Sequence, residues 1–100
     1  MNLARETLYK LKDHGKTVKD VRWVGHYDYA SNKHIRESTD EFFISAMRTD
    51  YDNGYGCAII DGSLVVVGDD WWLERAEYDG AEWWEYKTMP KIEEYDEVTE

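Results

Sequence analysis

The sequence predicts an α+β domain: two short helices packed on a twisted, mainly antiparallel sheet that ends in a four-strand meander. Two segments of the first half have apolar residues at helical spacing, and the second half has two Asp-Gly pairs that each separate β-forming runs. One hundred residues are enough for one hydrophobic core and too few for two. We therefore expect a single domain at residues 1–90, followed by an acidic tail at 91–100 that frays. The alternative for the tail is a docked helical turn, with Ile92, Tyr95 and Val98 at intervals of three.

Both helices are indicated by apolar spacing and by residues suited to helix ends. Leucines recur at near-helical intervals in residues 2–14, and Gly15 follows in the position of a C-cap. Ser38 and Glu41 form a capping-box pair just before an apolar run. The sequence therefore predicts helices at 2–14 and at about 39–48.

The remaining segments of the first half are predicted to be a strand and two irregular stretches. Valine and tryptophan, which favour strands, are concentrated in residues 20–27. In contrast, Asp28–Glu37 is polar and irregular, and Thr49–Gly56 is rich in turn formers. A strand is therefore predicted near 20–27, with loops on the other two stretches.

Four β-forming runs in the second half predict two hairpins. Each pair of runs is separated by an Asp-Gly pair, in which Gly tolerates positive φ and Asp bonds its own turn. The sequence therefore predicts an antiparallel meander. The four runs are Cys57–Ile60, Ser63–Val67, Trp71–Glu77 and Ala81–Thr88.

The loop length of the second hairpin decides which side chains share a face. A two-residue loop sets Glu77 against Glu82 and Glu74 against Glu85, and like charges directly opposite each other repel. A three-residue loop that ends at Gly80 avoids both pairs, so we predict that loop. One face then carries Trp72, Ala76, Trp84 and Tyr86, and the other carries Trp71, Leu73 and Trp83 with charged residues between them.

The charge is concentrated in the second half. Residues 1–49 hold nine bases and seven acids, whereas residues 50–86 hold one base and ten acids, in a chain of net charge −10. Such a field repels nucleic-acid phosphate and anionic lipid and attracts a basic protein. We expect no direct nucleic-acid or membrane binding. The chain also has neither an apolar run long enough to span a bilayer nor a signal-peptide pattern, which predicts a cytoplasmic protein.

No residue pattern predicts catalysis, a cofactor or a metal site. The histidines His14, His26 and His34 lie in separate segments without metal-ligand spacing. The segment 50–54 is similar to the start of a calcium loop, but glycine stands one position too early. Cys57 lies in a predicted interior strand, where a thiol is unreactive. We therefore predict that the protein is not an enzyme; a small hydrolase or metal enzyme is the least favoured reading.

The aromatic residues predict a binding surface. Five tryptophans and eight tyrosines exceed what a core of this size needs, and both types are enriched at interface hot spots. We expect the meander to present some of them, beside carboxylates, to a basic protein. One alternative is that Trp71 and Trp83 pack under the first helix or the tail. Another is self-association, as a homodimer, through the aromatic sheet face. The predicted partner-binding residues are Asp69, Asp70, Trp71, Glu74, Glu77, Asp79, Glu82, Trp83 and Glu85.

The doubled-tryptophan hairpin resembles a small family of uncharacterised proteins encoded by phages and prophages of Gram-positive bacteria. The resemblance is carried by Val67–Arg75, Glu77–Gly80 and Glu82–Lys87, and is clearest over residues 50–90. It implies a phage accessory protein acting in a bacterial cytoplasm, and it brings no functional residue with it. Small acidic phage proteins often inhibit host proteins, including nucleic-acid-binding defence enzymes, by placing carboxylates where phosphates would lie. This class-level analogy gives the expected partner, a basic host protein.

Overall fold

The computed structural model describes residues 1–52 and 59–90 and has the predicted α+β fold. Its five strands form one sheet in the order β2-β1-β3-β4-β5, with every neighbouring pair antiparallel. Among the described residues, no helix has the length and apolar character that crossing a bilayer requires. The elements are α1 at Leu3–Asp13, a 3₁₀ turn at Val18–Asp20, β1 at Trp23–Asp28, β2 at Lys33–Glu37, α2 at Thr39–Met47, β3 at Val65–Val67, β4 at Trp71–Tyr78 and β5 at Ala81–Thr88.

Both helices begin and end where the local sequence predicts. The side chain of Asn2 caps α1 by accepting a hydrogen bond from the Arg5 amide, and Gly15 follows the helix with φ of +71°. Ser38 caps α2 by accepting from the Glu41 amide at 3.1 Å. The predictions of helices at 2–14 and at about 39–48 are therefore confirmed.

Strand β2 corrects the prediction that Asp28–Glu37 is irregular. Its five residues pair with β1 through a turn in which Asn32 adopts a φ of +56°. Most of its side chains are exposed, because β2 is an edge strand that lies beyond the area covered by the helices. A strand with exposed side chains is held by its backbone hydrogen bonds and does not need alternating apolar residues. Its amino-acid composition therefore does not identify it as a strand.

The first predicted hairpin does not form within the described residues. Ile59 and Ile60 lie in no strand; their amides instead donate to the carboxylate of Glu82, at 2.6 and 3.0 Å. Backbone groups that bind a side chain are unavailable for strand pairing. Cys57 and residues 53–56 of the predicted loop lie outside the described residues, as does the tail at 91–100. The meander at the end of the sheet consists of β3, β4 and β5.

The second hairpin has a two-residue loop, so the predicted three-residue loop is wrong. Tyr78 lies opposite Ala81, and Asp79 and Gly80 have φ values of +52° and +86°. Two consecutive positive φ angles are typical of the turn whose twist matches a hairpin. Glu77 therefore does lie opposite Glu82, and Glu74 opposite Glu85.

The hydrophobic core lies between the helices and one face of the sheet. Residues directly opposite each other share a face, so the loop length places Trp71 and Leu73 of β4 with Trp84 and Tyr86 of β5. This inner face packs on both helices; its central row is Val24, Val66 and Leu73, each 0% exposed. The core residues of the helices are Leu3, Ala4, Leu11, Phe42 and Ala46.

Candidate functional site

The opposite face of the sheet, called here the outer face, carries the remaining tryptophans. Side chains alternate between the two faces of a strand, so the neighbours of each core residue point outward. The apolar side chains of the outer face are partly exposed, and Trp83, on the edge strand, lines a hollow together with Tyr9 and Lys10 of α1. One row across the outer face is Arg36, Gly25, Val65, Glu74 and Glu85, and on one side of it is the row Trp23, Val67, Trp72 and Lys87. On its other side, Trp83 of β5 lies opposite Ala76 of β4.

The indole of Trp23 lies close to Gly25, two residues later on the same face. A Cβ atom at Gly25 would be 2.8 Å from Cζ3 of the Trp23 indole, so a larger residue here would displace the ring. Beside the ring is a groove of about 480 Å³, lined also by Arg36, Ser63 and Val65. The sequence thus builds an aromatic surface with a hollow next to it in the middle of the sheet.

The carboxylates of the outer face share one lysine. Lys87 Nζ lies 3.1 Å from Glu85 and 3.8 Å from Glu74, and Trp72 Nε1 donates to Glu74 at 3.1 Å. The hydrogen bond to Glu85 and its negative charge raise the pKa of Lys87. All three charged side chains remain about 40% exposed, at 42% for Lys87 and Glu74 and 40% for Glu85, so water and a partner both have access to them.

Three of the predicted site residues come together on the outer face: Glu74, Trp83 and Glu85. Trp71 and Glu82 do not belong there, since they are only 3% and 2% exposed and point into the core. For Trp71 the reason is the two-residue loop, which places the odd-numbered residues of β4 on the face of Trp84 and Tyr86 instead of the face of Trp83. Glu82 points inward because it alternates with Trp83 on β5.

The other four predicted residues lie at the two ends of the hairpin. Asp69 and Asp70 precede β4, and Asp69 is held by Arg22 through hydrogen bonds of 2.8 and 3.0 Å. Glu77 and Asp79 lie at the opposite end, beside the turn, and are exposed. These carboxylates therefore surround the outer face rather than forming part of it.

The sequence reasoning missed Trp23, Trp72 and Arg36 as members of the face. The predicted three-residue loop placed Trp72 on the face of Trp84 and Tyr86, whereas the two-residue loop places it opposite Lys87, on the face of Trp83. For Trp23, the available clue is the glycine two positions later, since residues i and i+2 of a strand share a face. Arg36 had no clue, because β2 itself was not predicted.

A second group of polar residues is buried under the hairpin. The Arg75 side chain is 3% exposed and donates to Glu6 at 3.2 Å, to Glu82 at 3.0 Å and to the Tyr51 hydroxyl at 3.0 Å. Its guanidinium also lies 4.7 Å from the ring centre of Trp84. One arginine therefore joins α1, residue 51 and both strands of the hairpin.

The proton positions in this buried cluster are fixed by its hydrogen bonds. Burial, and then the hydrogen bond that Tyr51 donates to Glu6, raise the pKa of Tyr51 to about 12. Burial alone would lower the pKa of Arg75, but its bond to Tyr51 and the charge of Glu6 outweigh burial and raise it. Arg75 thus stays charged and Tyr51 neutral. The cluster therefore connects α1, residue 51 and the hairpin through charged hydrogen bonds.

Within residues 1–52 and 59–90, no three or more histidine, cysteine, aspartate or glutamate side chains form a group that could hold a metal ion. Comparison with protein-family models, with curated proteins and with solved structures finds no match to this chain. The outer face is therefore the feature from which a function can best be inferred.

Proposed function

We propose that the protein is a non-enzymatic binding module whose outer face docks a basic partner protein. The observation that supports this is a sheet face with three partly exposed tryptophans: Trp23, Trp72 and Trp83, the last 37% exposed. Tryptophan buries a large area at little cost in rotamer entropy, which suits the centre of an interface. Exposed apolar surface of this kind often marks a contact with another molecule.

The charge of the molecule supports a basic partner. The chain carries a net charge of −10, and exposed carboxylates lie on the outer face and at both ends of the hairpin. They would steer a partner whose apolar patch is flanked by arginine or lysine. The ion pairs of Lys87 are partly exposed, so exchanging them for a partner's cations costs little.

The proposal includes where the protein acts and which kind of protein it inhibits. The resemblance of the hairpin to proteins of phages and prophages of Gram-positive bacteria supports an accessory protein that acts in a bacterial cytoplasm. The acidic charge supports inhibition of a basic or nucleic-acid-binding host protein, whose cationic surface the carboxylates would occupy. Nucleic acid and membrane are not the ligands of this proposal, since both carry negative charge.

The test is a comparison of immobilised variants in lysate from a Gram-positive host, followed by affinity measurement with the purified partner. The outer-face variants are Trp72→Ser with Trp83→Ser, and Glu74→Lys with Glu85→Lys. Glu82 is left unchanged, because it is buried against Arg75. The matched control is Asp40→Lys with Glu41→Lys, two exposed carboxylates on α2.

We expect the natural chain and the control to retain the same basic protein and both outer-face variants to lose it, with affinity falling about tenfold or more. Binding should weaken as salt rises, because the steering is Coulombic. Circular dichroism establishes that each variant is folded. Retention of that protein by folded outer-face variants, or affinity independent of salt, would contradict the proposal.

Self-association through the outer face is the second candidate, favoured by the order of charges across it. Arg36 lies at one side and Glu74 and Glu85 at the other, with apolar residues between them. A two-fold axis through the middle would set Arg36 of each copy against the carboxylates of the other, as in an isologous dimer.

Light scattering at two protein concentrations separates the two candidates. A dimer that persists on dilution, is lost in Arg36→Glu, and returns when that variant is mixed with Glu74→Lys/Glu85→Lys would establish self-association and displace the first proposal. A monomer at both concentrations would eliminate the second candidate.

A further inference from the structure

A second apolar surface lies on the helical side of the molecule, away from the outer face. It consists of two adjoining hollows between α1, the 3₁₀ turn and α2, of about 590 and 390 Å³. Leu8 and Val18 line both hollows, so the two form one continuous groove, called here the helix groove.

The floor of the helix groove is unusually apolar for a surface. Leu8 is 43% exposed, Ile44 is 51% exposed and Met47 is 62% exposed, and Phe43 lies beside them. The first three side chains come from both helices and sit together, whereas exposed apolar residues on monomeric proteins are usually scattered. The floor could therefore receive apolar side chains of another segment.

One end of the helix groove is lined by lysines. Lys12, Lys16 and Lys19 line the larger hollow, and no carboxylate lines it. Within residues 1–52 and 59–90, none of the three forms an ion pair. The amino group of Lys16 lies 5.9 Å from the ring centre of Trp71, which holds it at the rim. In a chain of net charge −10, these three lysines make the larger hollow a local positive region, while Asp40 lines the smaller hollow.

We propose that the helix groove binds an acidic peptide segment of a partner protein, in which apolar residues recur every three or four positions. An amphipathic segment of this kind lays its apolar side chains on an apolar floor, as helices do in grooves. Its carboxylates pair with Lys12, Lys16 and Lys19, which gives the complex its charge complementarity. The site is separate from the outer face and takes a ligand of opposite charge.

The probe is a synthetic peptide with the sequence of residues 91–100, because that sequence has the required chemistry. It has five carboxylate side chains, and Ile92, Tyr95 and Val98 follow at intervals of three. A control peptide has serine at these three positions. Binding is measured by titration calorimetry to the natural chain and to the full-length variant Ile92→Ser/Tyr95→Ser/Val98→Ser, in which the chain's own copy of the sequence cannot compete.

We expect the probe to bind both receptors, and the control peptide to bind at least about tenfold more weakly. Lys12→Glu with Lys19→Glu should weaken binding about tenfold at low salt, and Ile44→Ser with Met47→Ser should weaken it similarly. The matched control Lys33→Glu/Arg36→Glu makes the same charge change on β2 and should bind as the natural chain does. The outer-face variant Glu74→Lys/Glu85→Lys should also leave binding unchanged, which separates this site from the proposed function.

Three results would overturn the proposal. The first is a probe that binds neither receptor or binds no better than the control peptide. The second is equal binding by the Lys12→Glu/Lys19→Glu variant, folded by circular dichroism. The third is binding only to the receptor with the substituted tail, which would assign the groove to the chain's own residues 91–100 instead of a partner.

Discussion

At Arg75, a single side chain determines how four parts of the molecule meet. It contacts Glu6 on α1, Tyr51 after α2, and Glu82 and Trp84 on the neighbouring strand. Glu82 in turn accepts from the amides of Ile59 and Ile60 and so fixes the chain before β3. Carboxylates with this many partners tolerate burial, whereas removing one partner from such a group is strongly destabilising.

The raised pKa of Tyr51 predicts how stability depends on alkaline pH. Its folded-state pKa of about 12 lies above the ordinary value of 10.0, so the unfolded state loses the proton first as pH rises. The contribution to the free energy of unfolding is therefore complete below pH 10 and is lost as pH rises to about 12. Urea unfolding should show a steeper decline for the natural chain than for Tyr51→Phe between about pH 9 and about pH 11.

Tyr9→Phe is the control for this measurement, because Tyr9 is 61% exposed. It should decline as steeply as the natural chain. Equal slopes in Tyr51→Phe and Tyr9→Phe would contradict a proton held on Tyr51 by the fold.

Among the secondary-structure elements, the hairpin of β4 and β5 has the largest consequences, since its loop length sets every face assignment. The two-residue loop places two pairs of glutamates opposite each other, and the repulsion within each pair is reduced by a nearby cation. Glu82 turns inward to Arg75, and Lys87 lies between Glu74 and Glu85. Two like charges on opposite strands therefore do not exclude a strand register, because a cation elsewhere in the fold can neutralise their repulsion.

The turn itself gives a prediction for stability. Gly80 has a φ of +86°, where a side chain is strained, so Gly80→Ala should lower the free energy of unfolding by about 1–2 kcal/mol. Gly62→Ala is the matched control: its surroundings are open and its backbone is outside the left-handed region, so its effect should be close to zero. Equal losses in the two variants, measured by urea unfolding, would be inconsistent with the two-residue turn.

Local sequence sufficed for the elements whose ends depend on nearby residues. Gly15 and the Ser38 and Glu41 pair predicted both helices, and the Asp-Gly pair at 79–80 predicted the second hairpin. Strand β2 could not be predicted, because Lys33–Glu37 owes its conformation to pairing with β1 rather than to its own composition. The outer face could be predicted only in part, since Glu74, Trp83 and Glu85 were expected together but Trp72 depended on the loop.

On the scale of the whole molecule, charge is divided between two sides. The hairpin carries five carboxylates and two basic residues, while three lysines line the larger hollow of the helix groove. At a net charge of −10, repulsion between the negative charges destabilises the folded state, and salt weakens that repulsion. The melting temperature should therefore rise as ionic strength increases from about 0.01 M to about 0.15 M, since the Debye length falls from about 30 Å to about 8 Å.

Substitutions at two exposed pairs of charged residues should change how much the melting temperature rises with salt, one pair lowering the rise and the other increasing it. Glu77→Gln with Asp79→Asn removes two negative charges beside the turn and should reduce the rise. Lys33→Gln with Arg36→Gln removes two positive charges from β2 and should increase it. The same salt response in all three proteins would show that net charge does not control stability.

The division of the tryptophans between the two faces of the sheet also equips the protein with two optical reporters. Trp71 and Trp84 are sealed in the core, Trp84 directly under the guanidinium of Arg75, whereas Trp23, Trp72 and Trp83 reach the solvent on the outer face. Acrylamide should therefore quench the emission of the second group at concentrations that spare the first. A ligand that covers the outer face would protect the quenchable tryptophans, while one that enters the helix groove would leave them as they were, so a single fluorescence titration identifies which side of the molecule has been occupied.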